Sequence, residues 1–140
     1  MMQNPHYLTD FTVGKQFKVN PEILRIIVSK EYCRVDFGYA TPWKYVRGGW
    51  IKIAPQTFIR VHGLEKKFAL IQAENIPLAP VVREFESRQD WTVFQLYFEP
   101  IPLLDGTIDI IEQLHPNQND FNYYDIAVRI SESVEIIPFR

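Results

Sequence analysis

The stretch Trp43–Arg60, WKYVRGGWIKIAPQTFIR, interleaves Trp43, Tyr45, Trp50 and Phe58 with Lys44, Arg47, Lys52 and Arg60. Aromatic faces set beside cations stack sugar rings or bases, and they anchor protein partners. Strand alternation sharpens the pattern. With Ile51 and Ile53 turned inward, Trp50 and Lys52 share the outward face; with Ile59 inward, so do Phe58 and Arg60. The candidate binding surface is therefore Trp43, Lys44, Arg47, Trp50, Lys52, Phe58 and Arg60. The plainer alternative has Trp50 and Phe58 covering a sheet edge or packing beneath a loop.

Other residues with chemical potential are thinner evidence. Asp105, Asp109, Glu112, Asp120 and Asp125 form an acidic cluster in sequence, and Asn117, Asn119 and Asp120 could add oxygens from one loop. Calcium needs six to eight oxygens in a loop of set spacing, which this segment does not match, so ordinary solvated acids are expected. His6, His62 and His115 are far apart and fall in expected loops, where solvated imidazoles are the plain reading and a metal site the remote one. Cys33 sits on the apolar face of an alternating strand, where a thiol behaves as a small hydrophobe rather than a nucleophile. The sequence contains no GxSxG, HExxH, GxxxxGK[ST], GxGxxG or EF-hand pattern.

The elements that must position these residues are strands. Glu22–Ser29 is a near-continuous apolar run, and Cys33–Ala40 alternates with Cys33, Val35 and Phe37 on one side and Arg34 and Asp36 on the other. The polar link Lys30–Tyr32 predicts a hairpin between them. Trp50–Ala54 and Thr57–Val61 flank Pro55, and Lys67–Glu74 carries Phe68, Leu70 and Gln72 on one face. Val81–Glu86 is a short strand. Trp91–Glu99 turns Phe94, Leu96 and Phe98 inward, and Thr107–Leu114 does the same with Ile108 and Ile110. The loop HPNQND leads to Asn122–Ile130 and a last short strand at Val134–Pro138. No window of a dozen residues sustains a helical period, so helix content is small.

Composition agrees. In 140 residues, Ile and Val outnumber Ala and Leu 27 to 15, a strand-forming bias. The lone cysteine excludes an internal disulfide framework and a cysteine-based zinc site. A net charge of −2 gives no drive toward nucleic acid or anionic membranes. That figure conceals an asymmetry. Residues 1–70 hold 11 Lys/Arg against 5 Asp/Glu, and residues 71–140 hold 4 against 12. Opposite poles would favour self-association, whereas interleaved strands would make the charges mutually complementary. The opening MMQNPHYLTDF lacks a basic segment followed by an apolar stretch, so no signal peptide is read. A cytoplasmic location is expected on that basis, an exported one if a leader has been trimmed.

The segments GWIKIAPQTFI (Gly49–Ile59), AENIPLAP (Ala73–Pro80), FQLYFEPIP (Phe94–Pro102) and TIDIIE (Thr107–Glu112), trailed by FNYYDI (Phe121–Ile126), resemble a group of uncharacterised bacterial immunoglobulin-like β-sandwich domains. The resemblance covers roughly residues 45–130 and implies a fold, but no activity and no catalytic residue.

The expected architecture is all-β: eight to nine short antiparallel strands in a sandwich or a barrel, with the immunoglobulin-like β-sandwich favoured. Residues 1–20 are expected as an N-terminal arm, either loose or a short helix with an edge strand, and residues 21–140 as one domain. The expected function is a non-catalytic interaction module that binds a protein partner or itself, with no cofactor, nucleic acid or membrane involved. The alternatives are carbohydrate binding through Trp43, Trp50 and Trp91, and, remotely, a metal-dependent enzyme built on the acidic cluster.

Overall fold

The computed structural model describes residues 6–13, 22–40, 50–51, 53–74, 83–84, 91–112 and 122–135. The elements are β1 (His6–Val13), β2 (Glu22–Val28), β3 (Cys33–Ala40), β4 (Trp50–Ile51), β5 (Phe58–Val61), β6 (Lys67–Glu74), β7 (Arg83–Glu84), β8 (Trp91–Phe98), β9 (Gly106–Ile111) and β10 (Tyr123–Glu135). No helix occurs among the described residues.

Eight of these strands form a closed antiparallel barrel in the order β1-β10-β9-β5-β6-β8-β3-β2, with β2 returning to β1. The short β4 and β7 pair separately. All-β and antiparallel is thus correct, but the immunoglobulin-like sandwich is not. A sandwich keeps two sheets with free edges. Here the β5–β9 and β1–β10 ladders join what would have been separate sheets into one continuous wall. The N-terminal segment is also corrected in part where it is described. His6–Val13 is a strand, as one of the two expectations had it, but it is paired on both sides, with β10 and β2, rather than lying at a sheet edge.

Period-two alternation builds the wall with apolar residues inside. Ile26, Val28, Cys33, Val35, Phe37, Phe94, Leu96, Phe98, Ile108, Ile110, Tyr123 and Ile126 are buried in one cluster. Phe37 stacks on Phe94 at 5.1 Å. An eight-stranded barrel is just wide enough for its own side chains to fill it, and these large residues do so. Outside stand Arg25, Arg34, Asp36, Arg60 and Asp109.

Among the described residues the register shifts at four places, one of them between Tyr7 and Thr9 on the β1–β10 ladder, and the other three are one-residue bulges. On β2 the register passes from Ile23↔Phe37 to Arg25↔Asp36, leaving Leu24 extra and exposed. On β6 it passes from Leu70↔Phe98 to Gln72↔Tyr97, leaving Ile71 extra and 57% exposed. The expectation that Gln72 shares a face with Phe68 and Leu70 is corrected here, because the bulge sends Gln72 outward and Ala73 inward. The third bulge lies on β10 between Tyr123 and Ile126, where Asp125 adopts φ 55°.

Among the described residues the charges interleave: β9 and β10, from the acidic half of the chain, lie between β1 and β5 from the basic half. Asp10 opposes Arg129, and Arg60 opposes Asp109.

Candidate functional site

Arg60 and Asp109 occupy the same rung of the β5–β9 ladder and, being one residue from inward-facing Ile59 and Ile110, both point out of the barrel. Arg60 Nε donates to Asp109 Oδ2 at 2.9 Å, and Nη2 lies at the same distance from that oxygen. His62, two residues beyond Arg60, projects the same way; its Nε2 lies 3.0 Å from Asp109 Oδ1 and 3.7 Å from Asp125 Oδ1. The bulge on β10 brings in the remaining partner. Asp125 N–H donates to Asp109 Oδ1 at 2.8 Å.

The Asp109 side chain is only 3% exposed, so burial alone would raise its pKa. The hydrogen bonds from Asp125 N–H, His62 and Arg60 outweigh that cost and hold the carboxyl below the usual carboxylate range. Arg60 and His62 are half-exposed and Asp125 is 76% exposed, so the buried carboxylate is capped by groups that still face solvent. With Leu64 and Tyr124 they line a shallow depression of about 540 Å³. The imidazole and two carboxylates place their ligand atoms within 4.8 Å of one another, a donor set a metal ion could use.

A second polar cluster lies across the barrel. Asp36 accepts from Arg25 Nε at 2.9 Å and from Arg34 Nε at 2.7 Å and Nη2 at 3.2 Å. Arg34 lies 5.9 Å from the Tyr97 ring centre, Tyr97 packs edge-on against Tyr32, and the Tyr32 hydroxyl meets His6 Nε2 at 3.1 Å. Burial first, then the nearby Glu74, raises the Tyr97 hydroxyl pKa. Arg34, Asp36 and Tyr97 are buried, so this cluster is structural cross-bracing between β2, β3 and β8.

Of the sequence-derived binding surface, the side chains of Arg60 and Phe58 are described. Arg60 is exposed and central to the site. Phe58 lies on the same outward side but is only 8% exposed, with Lys67 Nζ 4.9 Å from its ring, so it packs rather than presents a platform. Trp43, Lys44, Arg47 and Lys52 lie outside the described residues, as do the side chains of Trp50 and Trp91.

The acidic cluster disperses. Asp105 accepts from Ile130 N–H, and Glu112 accepts from Ala54 N–H at 2.8 Å, whereas Asp109 and Asp125 meet. Asp120, Asn117, Asn119 and His115 lie outside the described residues. Of the described histidines, His6 is corrected, since it sits in β1 against Tyr32; His62 is in an exposed turn after β5 as expected, and it also meets Asp109. Cys33 is buried, and burial pushes its thiol up to about 12, as a core cysteine requires.

Comparison with known proteins returns no matching family model, no matching curated protein and no matching solved structure. The functional reading rests on the geometry.

Sequence reasoning named His62 as a solvated histidine and Asp109 and Asp125 as members of an acidic cluster, but it did not bring the three together. The signal for His62 was present, since alternation places it beside Arg60 on the outward face. Asp125 carried no such signal, because a bulge brings it to Asp109.

Proposed function

We propose that this chain is a non-catalytic β-barrel interaction module that binds a protein partner through the outer face of β5, β9 and β10. The observation that carries this reading is the depression over Asp109. There an arginine, a histidine, an exposed leucine and a tyrosine line one depression. The barrel interior is filled by Phe37, Phe94, Phe98 and Tyr123, which leaves the outer wall as the place for recognition. Arginine and aromatic residues around an apolar contact are the composition of interface hot spots. A protein partner is favoured over a second copy because the charges of the described strands interleave.

A photo-crosslinking amino acid introduced at Leu64 tests this reading, with the same probe at exposed Leu24 as control. β2 stands opposite β5 around the ring of eight. The expected result is one discrete cross-linked heterologous species from Leu64, absent from Leu24 and lost when Arg60→Glu is added. Equal products from both positions, or only a homodimer, would overturn it. A glycan array run on the same protein reads the carbohydrate alternative.

A further inference from the structure

The structure assigns a binding site for one divalent transition-metal ion, of the zinc or manganese class, to His62, Asp109 and Asp125. This inference is independent of the protein-partner reading, since an ion can sit there whether or not a partner docks.

The donors come from three separate chain segments: the residue following β5, the middle of β9 and the bulge of β10. That convergence differs from a run of acids along one loop, and it includes an imidazole nitrogen. His62 Nε2 lies 3.0 Å from Asp109 Oδ1 and 3.7 Å from Asp125 Oδ1. An ion with bonds of about 2.1 Å holds adjacent ligands roughly 3.0–3.6 Å apart, which the two His62 separations nearly match; the three ligand atoms lie within 4.8 Å of one another, and a movement of Asp125 completes the set. Asp125 is the most exposed of the three and has room to make it.

The surroundings are those of a supported ligand. Arg60 occupies Oδ2 of Asp109 and Asp125 N–H braces Oδ1, which together fix the carboxylate plane while one lone pair of Oδ1 faces His62. Outer partners of this kind orient metal ligands. In the ion-free form that lone pair accepts the Nε2 proton. With an ion bound, neutral His62 presents the Nε2 lone pair: the Nε2–H bond breaks and an Nδ1–H bond forms by tautomerisation through solvent, so the ring's proton count is unchanged. Two carboxylates and one imidazole, with remaining positions open to water in the depression, suit zinc, manganese, cobalt or ferrous ion. Calcium, which needs six to eight oxygens, is poorly served. The positive charge of Arg60 offsets one carboxylate and moderates affinity.

Isothermal titration of the full chain with Zn²⁺, Mn²⁺ and Ca²⁺ provides the test, alongside His62→Gln, Asp125→Asn and a His6→Gln control. Asn tolerates the left-handed backbone at position 125, and all three replaced side chains reach solvent, so circular dichroism can establish that the variants fold. The expected result is one saturable Zn²⁺ or Mn²⁺ site, weakened at least tenfold by His62→Gln and by Asp125→Asn and unchanged by His6→Gln. Co²⁺ should give visible bands that change in His62→Gln. No saturable binding of any transition ion would overturn the assignment. So would binding that survives both substitutions, or a preference for Ca²⁺.

Discussion

The backbone N–H of Asp125 donates to the Asp109 carboxylate at 2.8 Å from a residue held at φ 55°. The left-handed turn is what aims that N–H across the ladder, and the carboxylate is what rewards the turn. Asp tolerates this conformation better than most residues with a Cβ, so the β10 bulge and the buried acid support each other.

Replacement of Asp125 should therefore follow backbone preference rather than charge. Asp125→Gly and Asp125→Asn should change stability little, while Asp125→Val should cost about 1–2 kcal/mol because a branched side chain crowds the left-handed turn. Urea midpoints at unchanged slope measure the order. A Val variant as stable as wild type would mean the bulge can relax.

Asp109 should make stability acid-sensitive. Its folded pKa is depressed, so the folded state binds fewer protons than the unfolded chain. The contribution is present above the unfolded carboxylate pKa of about 4 and is lost as pH falls through the lower folded value. Asp109→Asn should be less stable at neutral pH and should flatten the profile below about pH 4. Thermal melts from pH 7 down to pH 2.5 provide the comparison.

Asp36→Ala should be among the most damaging single changes. It strips the buried Arg34 guanidinium of its carboxylate and removes the Arg25 bond as well. Breaking a buried pair from one side costs roughly 3–5 kcal/mol, whereas apolar replacement of both partners is often neutral. The double variant Arg34→Met with Asp36→Leu should recover most of the loss, as chemical denaturation would show.

Bulge residues should be deletable where core residues are not. Removing Ile71 leaves Leu70 inward, Gln72 outward and Ala73 inward, which is regular alternation, and removing Leu24 does the same for Ile23, Arg25 and Ile26. Each deletion should fold with a lower melting temperature, because bulges supply curvature that closure uses. Deletion of Val35 reverses the faces of the rest of β3 and should not fold. Circular dichroism melts distinguish the three.

Faces were legible in the sequence and closure was not. Cys33, Val35 and Phe37, like Phe94, Leu96 and Phe98, point inward as period-two alternation requires. That rule says which side of a strand is buried, yet sandwich and barrel use it identically. The difference lies in whether β5 pairs with β9 and β1 with β10, contacts between residues distant in the chain. Gln72 was misplaced because a one-residue bulge shifts the parity without altering the local pattern. The site failed to show for a related reason. His62 and Asp109 are 47 residues apart, and only the β5–β9 register brings them together.

The barrel is closed by its first strand meeting its last. β1 hydrogen-bonds along β10 from Val13↔Ile126 to His6↔Glu135, so the seam joins the two ends of the described chain. During synthesis, the β10 side of β1 has no mate until residue 126 and beyond have emerged. The loop that must close there is nearly the length of the domain. Folds dominated by such distant pairings form in milliseconds to seconds rather than microseconds. A ribosome-bound chain halted before β10 would present an open strand edge, the state in which edge-to-edge aggregation begins.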